Sequence, residues 1–261
     1  MQISLKGKRA LVGGASRGLG RAIALQLAAS GAQVTLLARN EESLQGVLRQ
    51  LSTAEGQTHQ YLVVDFADLG KFTQAMSAFF EQHVVDILVN NTNGPAAGTV
   101  LEKGIADYQQ SFDLLFKTVN VMTMQALPGM RKRNFGRIIN LSSISVKEPL
   151  QNLVLSNSIR SAVISWAKTL ARDVAADGIT VNNILTGYFD TERLNEIHGA
   201  QAKAKGISIE TQKANMQLDI PAKRLGQPEE FAYLVAFLAS ANAAYITGTN
   251  IPIDGGLLRS V

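Results

Sequence analysis

The sequence predicts an α/β fold in which a parallel sheet of about seven strands is covered by helices on both faces. Short runs rich in Val, Ile and Leu recur along the chain, as expected of strands that are buried on both faces. Segments with apolar residues at helical spacing separate these runs. No low-complexity linker or internal repeat interrupts the alternation, which predicts right-handed crossovers and a single doubly wound domain over residues 1–261.

Each strand and helix of this alternation corresponds to its own run of residues. The predicted strands are residues 9–13, 33–38, 59–64, 86–90, 137–141, 180–185 and 250–253. The predicted helices are residues 19–30, 41–53, 69–82, 108–133, 158–176 and 228–240. The last helix has the clearest start, because Pro228 is followed by Glu229 and Glu230, and proline and acids favour a first helical turn.

The segment of residues 189–221 breaks the alternation. It is long, polar and lysine-containing, and it follows the sixth predicted strand. Long connections of this kind commonly carry function, because they run over the surface of the protein, where ligands bind. We expect this segment to form a mobile lid beside a bound ligand.

The composition is that of a globular protein that forms a core. Apolar residues make up 46% and charged residues 18% of the chain, whereas a disordered chain would contain fewer apolar residues. The absence of cysteine excludes disulfides, thiolate metal sites and cysteine nucleophiles. The first ten residues do not resemble a secretory signal, and no run approaches the roughly 18 apolar residues of a membrane span. We expect a cytoplasmic protein that binds neither a metal nor a membrane.

The net charge of +4 does not by itself indicate nucleic-acid binding. Basic residues are scattered, and their tightest cluster, residues 131–133, closes a predicted helix, where cations complement the helix dipole. The chain has no zinc-finger spacing and no aromatic residues interleaved with basic ones. We therefore do not expect a nucleic-acid partner.

A glycine-rich loop joins the first predicted strand to the first predicted helix. Residues 13–20 read Gly-Gly-Ala-Ser-Arg-Gly-Leu-Gly, with glycines at positions 14, 18 and 20. Such glycines allow a tight turn and let backbone N–H groups approach a pyrophosphate at the helix N-terminus. An ordinary turn has a similar composition, but the position between a strand and a helix favours dinucleotide binding.

The end of the second predicted strand indicates which dinucleotide is bound. An acid at this place would bind the ribose 2′-hydroxyl of NAD. This chain has Arg39 there instead, and Arg17 lies in the glycine-rich loop. Two guanidinium groups at these places suit a 2′-phosphate, which favours NADP(H) over NAD.

Further motifs extend this pattern from residue 8 to residue 256. They are the loop of residues 13–20 with Gly13 where threonine is usual, Asp65 after the third strand, Asn90-Asn91 after the fourth, Ser142-Ser143 at the end of the fifth, Thr186-Gly187 after the sixth, and Asp254-Gly255-Gly256 near the end. Together they resemble the short-chain dehydrogenase/reductase family, most closely its 3-oxoacyl-acyl-carrier-protein reductase-like members. The resemblance implies a Rossmann fold that binds NADP(H). The residues implied to bind it are Gly14, Ser16, Arg17, Gly18, Leu19, Gly20, Arg39, Asp65, Phe66, Asn91, Gly187 and Thr191.

The same resemblance implies a catalytic tetrad that this chain only partly reproduces. In the family a tyrosine transfers the proton, a lysine four residues later lowers its pKa, a serine stabilises the carbonyl, and an asparagine supports a water relay. Ser143 is retained here, but counting without gaps places Ser156 and Arg160 at the tyrosine and lysine positions. Leu115 falls at the asparagine position. A serine hydroxyl is a far weaker acid than a phenol, and arginine does not deprotonate, so we expect the proton transfer to be impaired.

Tyr188 is one candidate for a substitute phenol. It follows Gly187 on the predicted nicotinamide loop and would serve as the proton donor if it turned inward. The alternative is that it packs beneath the lid or lines the substrate pocket.

Two functions are compatible with these residues. The resemblance implies an NADPH-dependent reductase of carbonyl substrates of the 3-oxoacyl thioester type, with Ser143, Ser156 and Arg160 in an impaired catalytic site. The alternative is a catalytically inactive pseudoenzyme that binds NADP(H) as a sensor, a scaffold or a partner subunit. Members of the family commonly pair their long helices, here residues 108–133 and 158–176, so the resemblance also implies a homo-oligomer, a tetramer or a dimer.

Overall fold

The computed structural model describes residues 3–260, apart from the side chains of residues 197, 198, 200, 201 and 204. Met1, Gln2 and Val261, which the predicted domain includes, lie outside the described residues. The strands are β1 (Arg9–Gly13), β2 (Gln33–Ala38), β3 (Gln60–Val63), β4 (Ile87–Asn90), β5 (Gly136–Ser143), β6 (Ile179–Thr186) and β7 (Asn250–Ile253). They form one parallel sheet in the order β3-β2-β1-β4-β5-β6-β7, which confirms the predicted fold class.

The helices alternate with these strands along the chain. They are α1 (Gly18–Ala29), α2 (Glu41–Leu48), α3 (Leu69–Gln82), α4 (Ile105–Phe112), α5 (Thr118–Lys132), α6 (Val154–Val174), α7 (Glu192–Lys205), α8 (Ile209–Asp219) and α9 (Pro228–Ala239). The predicted helix of residues 41–53 is too long, because α2 ends at Leu48 and the next residues include the weak helix formers Ser52 and Thr53.

The predicted helix of residues 108–133 corresponds to α4 and α5, which are joined without a break in the helical path. A single π-helical turn, Asp113–Lys117, lies between them. The sequence analysis did not predict this turn, in which each N–H bonds to the carbonyl five residues earlier. Such turns are frequent at functional sites, and this one contains Leu115.

The segment of residues 189–221 contains two helices, α7 and α8, that the sequence analysis did not predict. Thr191 and Ser208 cap them, each accepting a hydrogen bond from a backbone N–H three residues later. Gly206, at φ +65°, ends α7 in the left-handed conformation. The apolar pattern of these helices is weak, which is why the segment reads as an irregular connection. The proposed lid motion stays a prediction.

Apolar layers cover both faces of the sheet. One layer packs α1 and α9 against the strands with side chains such as Ile23, Leu27 and Phe231. The other packs α3, α5 and α6 with side chains such as Met76 and Met122. None of the helices within the described residues combines the length and the apolar character that a transmembrane segment requires. The strand order reverses between β1 and β4, where the carboxyl ends of a doubly wound sheet form a ligand crevice.

Candidate active site

The glycine-rich loop connects β1 to α1 at this crevice. Gly14 has φ +57°, a conformation that favours glycine, and a side chain at Gly20 would collide with the Gly14 carbonyl oxygen. Asn91, directly after β4, donates a hydrogen bond from Nδ2 to the Gly13 carbonyl oxygen at 3.0 Å. The loop is therefore fixed against the neighbouring strand, and its lack of side chains leaves a cradle of backbone that fits a pyrophosphate.

A cleft of about 470 Å³ opens above this loop. Ten of the twelve residues predicted to bind the cofactor line it, so the structure brings them together from five separate parts of the chain. These ten are Gly14, Ser16, Arg17, Gly18, Leu19, Gly20, Arg39, Phe66, Asn91 and Thr191. The cleft also contacts Glu192 and Arg193 at the start of α7, which the sequence analysis missed.

Asp65, the eleventh predicted residue, lies in an adjoining cavity of about 270 Å³. Arg39 and Phe66 line both spaces, so the two are neighbours. Asp65 is exposed and accepts a hydrogen bond from the Ala67 N–H at 3.0 Å. The predicted contact of Asp65 with the adenine amino group stays a prediction.

Gly187, the twelfth, contacts β7 instead of lining the cleft. Its N–H donates to the Ile253 carbonyl oxygen at 3.0 Å, and a Cβ at this position would come within 2.6 Å of the Asp254 Cα. Gly187 thus allows the loop after β6 to pass close to the last strand. Its predicted contact with the cofactor stays a prediction.

The two predicted arginines differ in their surroundings. Arg39 is exposed, and within the described part of the chain it forms no ion pair. Arg17 donates from Nη1 to Glu196 Oε1 of α7 at 2.7 Å. A 2′-phosphate in the cleft would therefore meet one free guanidinium and one that is already paired.

The tetrad positions lie at the end of β5 and on the first turns of α6. Ser143 is the last residue of β5, and its Oγ accepts a hydrogen bond from the Ser145 N–H at 3.1 Å. Ser156 and Arg160 lie four residues apart and therefore on one face of α6. The Arg160 Nη1 donates to the Leu141 carbonyl oxygen at 2.7 Å, which turns this face of α6 toward the end of β5.

Within the residues that the structure describes, Arg160 forms no ion pair. Burial lowers the pKa of Arg160 to about 10, which keeps the guanidinium protonated at neutral pH. Together with Leu115 of the π turn and with Asn90, it lines a space of only about 10 Å³, enough for about one water molecule. Arg160 and Leu115 thus line a space too small for a chain of water molecules.

Tyr188 lies in a cavity that is separate from the dinucleotide cleft. Arg224, Glu230 and Asp254 line the same cavity. Burial, together with the charge of Asp219, raises the pKa of Tyr188 above its usual value of 10.0. A general acid works best with a pKa near the operating pH, so this environment favours the packing role over the substitute phenol.

The substitution Tyr188→Phe is expected to leave the rate of NADPH oxidation with carbonyl compounds unchanged, because Tyr188 lines the cavity of Arg224, Glu230 and Asp254, and the described lining of that cavity includes neither Ser143 nor Ser156. Ultraviolet titration of the native chain against this variant should assign to Tyr188 a phenol that ionises above pH 10. A loss of turnover in the variant, or a Tyr188 phenol that ionises near neutral pH, would instead identify Tyr188 as the acid.

A ladder of four asparagines crosses the sheet beneath this site, and the sequence analysis missed it. Asn90 of β4, Asn140 of β5, Asn183 of β6 and Asn250 of β7 are paired in register. Each Nδ2 donates to the next Oδ1, at 2.7, 2.8 and 2.8 Å along the ladder. Since three of the four are almost fully buried, the ladder fixes the registers of the strands that carry Ser143 and Thr186.

The family model described as Enoyl-(Acyl carrier protein) reductase matches residues 14–258. The chain belongs to the short-chain dehydrogenase/reductase family. The 3-oxoacyl-[acyl-carrier-protein] reductase FabG of Escherichia coli (strain K12) is 33% identical over 255 residues, covering 98% of this chain and 99% of that protein. The NADPH-dependent reductase BacG of Bacillus subtilis (strain 168) is 34% identical over 263 residues, covering 97% and 99%.

A solved structure of the same family extends the comparison to three dimensions. The L-sorbose reductase from Gluconobacter frateurii, in complex with NADPH and L-sorbose, matches with a TM-score of 0.93 at 30% identity, covering 100% of both chains. The resemblance to short-chain dehydrogenases/reductases that the motifs predict is therefore confirmed, and with it the Rossmann fold.

Proposed function

We propose that this short-chain dehydrogenase/reductase is an NADP(H)-dependent reductase of carbonyl compounds of the 3-oxoacyl thioester type. The observation that carries the proposal is the 470 Å³ cleft, because ten of the twelve cofactor residues predicted by sequence line it. NADPH in the L-sorbose reductase complex and the NADPH dependence in the name of BacG support the choice of cofactor. The relation to FabG supports the substrate class.

The chain's own residues divide the cofactor between them. The backbone N–H groups of the loop from Gly14 to Gly20 bind the pyrophosphate at the start of α1, where the helix dipole favours an anion. Arg39 binds the 2′-phosphate, and Asp65 accepts from the adenine amino group. Bound NADPH supplies the hydride.

The catalytic end of the site retains hydroxyl groups but lacks a phenol. The Ser143 and Ser156 hydroxyls donate hydrogen bonds to the carbonyl oxygen of the substrate, and Arg160 adds positive potential beside it. None of these groups is an effective acid at neutral pH, so water or the substrate supplies the proton. Loss of a positioned acid costs about 10²–10⁴ in rate, so we expect slow turnover.

A second function, a pseudoenzyme that binds NADP(H) without turnover, is favoured by the contact of Arg160. Its guanidinium donates to the Leu141 carbonyl oxygen of the protein itself, and Leu115 replaces the polar residue of the water relay. The two functions share the cofactor site and differ only in chemistry. Titrating NADPH and then following its oxidation with a panel of 3-oxoacyl thioesters and simple ketones separates them, because only the reductase turns over.

The substitution Arg39→Ala is expected to weaken NADPH binding by about 10–100-fold, the usual value of a hydrogen bond to a charged group. NADH binding should be unchanged, because NADH lacks the 2′-phosphate. Calorimetric titration of both dinucleotides measures the difference. Arg49→Ala is the matched control, since Arg49 is an equally exposed arginine at the end of α2 that lies outside both cavities. An equal loss of NADH affinity would assign Arg39 to another part of the cofactor.

A further inference from the structure

Glu196 of α7 is held between two arginines at the edge of the dinucleotide cleft. Its Oε1 accepts from Arg17 Nη1 at 2.7 Å, and its Oε2 accepts from Arg193 Nη1 at 3.3 Å. The hydrogen bonds from Arg17 and Arg193 hold the pKa of Glu196 below its usual range, so the carboxylate is ionised at neutral pH. Both ion pairs are about half exposed to solvent, which makes them exchangeable.

This carboxylate connects the glycine-rich loop to the segment beyond β6. Arg17 belongs to the loop, whereas Arg193 and Glu196 belong to the first turns of α7. Both arginines line the cleft, and the Thr191 side chain lies within ordinary contact distance of the Gly18 position. The pair between Arg17 and Glu196 therefore joins the glycine-rich loop to α7, two elements that both line the cleft.

The two guanidinium groups are also the donors that a phosphate monoester requires. Arginine binds carboxylate and phosphate with the same planar arrangement of N–H donors, so the two anions compete for one guanidinium. We propose that Glu196 is a specificity-determining residue whose carboxylate occupies Arg17 until the 2′-phosphate of NADPH displaces it. This inference rests on the proposed binding of NADP(H) and adds the residue that regulates its affinity.

The competition has a defined size and direction. Binding of the 2′-phosphate to Arg17 must first break the pair between Glu196 and Arg17. The free energy that stabilises this pair in the unliganded protein is therefore subtracted from the free energy of binding. Exposed ion pairs are worth about 1.4- to 5-fold in an equilibrium constant. By thermodynamic linkage, NADPH shifts the equilibrium between the paired and unpaired states of Glu196 and Arg17 toward the unpaired state by the same factor, whereas NADH leaves the pair intact.

The test is the substitution Glu196→Gln, which keeps the size of the side chain and removes its charge. We expect the Kd for NADPH to fall by about 1.4- to 5-fold and the Kd for NADH to stay constant. The phosphate compound 2′,5′-ADP, which lacks nicotinamide, should gain the same factor as NADPH. Isothermal titration of the full chain measures all three ligands.

Two controls separate the pair from a general change in charge. Glu192→Gln removes a carboxylate from the same cleft and helix, and it should have a smaller effect than Glu196→Gln if the direct contact with Arg17 matters. In an Arg17→Ala background, Glu196→Gln should no longer tighten NADPH binding, since a double-mutant cycle reports only the pair.

The outcomes distinguish this inference from the proposed function. If the native chain binds NADPH but Glu196→Gln tightens NADPH and NADH equally, or no more than Glu192→Gln does, the role of Glu196 is refuted and the cofactor assignment stands. If the native chain and all variants fail to bind either dinucleotide, the proposed function itself is refuted, and the inference falls with it.

Discussion

The double variant Ser156→Tyr/Arg160→Lys is expected to reduce carbonyl substrates about 10²–10⁴ times faster than the native chain. The variant restores a phenol and an amine four residues apart on one face of α6. A nearby ammonium favours the phenolate and so lowers the pKa of the phenol toward neutrality, where proton transfer to and from the carbonyl oxygen is most efficient. The measurement is kcat for NADPH oxidation with the substrate that the native chain reduces fastest, or with a 3-oxoacyl thioester if it reduces none.

The geometry of Arg160 explains why both substitutions are needed. Its guanidinium donates to the Leu141 carbonyl oxygen and cannot release a proton in the working pH range, since burial brings its pKa only to about 10. The positive charge of this arginine would lower the pKa of a tyrosine at position 156. The arginine would not accept or release a proton itself, so the tyrosine would lack a partner for proton exchange. We therefore expect the single variant Ser156→Tyr to recover less of the rate than the double variant.

The matched control is the double variant Ser156→Phe/Arg160→Lys, which adds the aromatic ring without its hydroxyl. It should bind NADPH like the tyrosine variant and should not gain turnover, because the acid is missing. Rapid turnover by the native chain would contradict the claim that its tetrad is impaired. Equal rates for the phenylalanine and tyrosine variants would contradict the assignment of position 156 to the proton donor.

The sequence predicted the fold because its determinants are local. Buried strands and the glycine-rich turn are read from neighbouring residues, and Ser156 and Arg160 are found by counting along one helix and one strand. The π turn at Asp113–Lys117 was not predicted, because helical residues flank it on both sides and the whole stretch has the apolar content of one long helix.

The contacts that the sequence did not predict join residues far apart in the chain. Arg17 and Glu196 are 179 positions apart, and no local pattern relates them. The helix that carries Glu196 has too weak an apolar face to be recognised, so its position across the cleft depends on the folded structure. The register of the asparagine ladder likewise depends on how four strands align in the sheet.

Asn140 occupies the most constrained place in that ladder. Its Oδ1 accepts from Asn90 and its Nδ2 donates to Asn183, and all three side chains are at most 2% exposed. A buried polar group that loses a hydrogen-bond partner bears the cost of its desolvation. If the side chain of Asn140 became apolar, Asn183 Oδ1 would lose its donor, and Asn90 Nδ2 would keep only its bond to Thr123 Oγ1 at 3.2 Å.

The substitution Asn140→Leu is therefore expected to lower the free energy of unfolding by about 2–6 kcal/mol, since it leaves two buried polar groups with a lost partner at a cost of about 1–3 kcal/mol each. Leucine has as many side-chain heavy atoms as asparagine, so the substitution leaves no empty volume behind. Urea unfolding monitored by circular dichroism gives the difference from the midpoint, provided that the slope is unchanged.

The other end of the ladder provides the control. Asn250 is exposed on the edge strand β7, so water replaces its bond to Asn183 after Asn250→Ala. We expect that variant to lose no more than about 0.5 kcal/mol, as is usual for surface substitutions. If the loss of stability for Asn140→Leu were as small as the loss for Asn250→Ala, water would have to reach the buried amides. A large loss confined to Asn140 would mean that the ladder fixes β5, and with it Ser143, three residues further along the same strand.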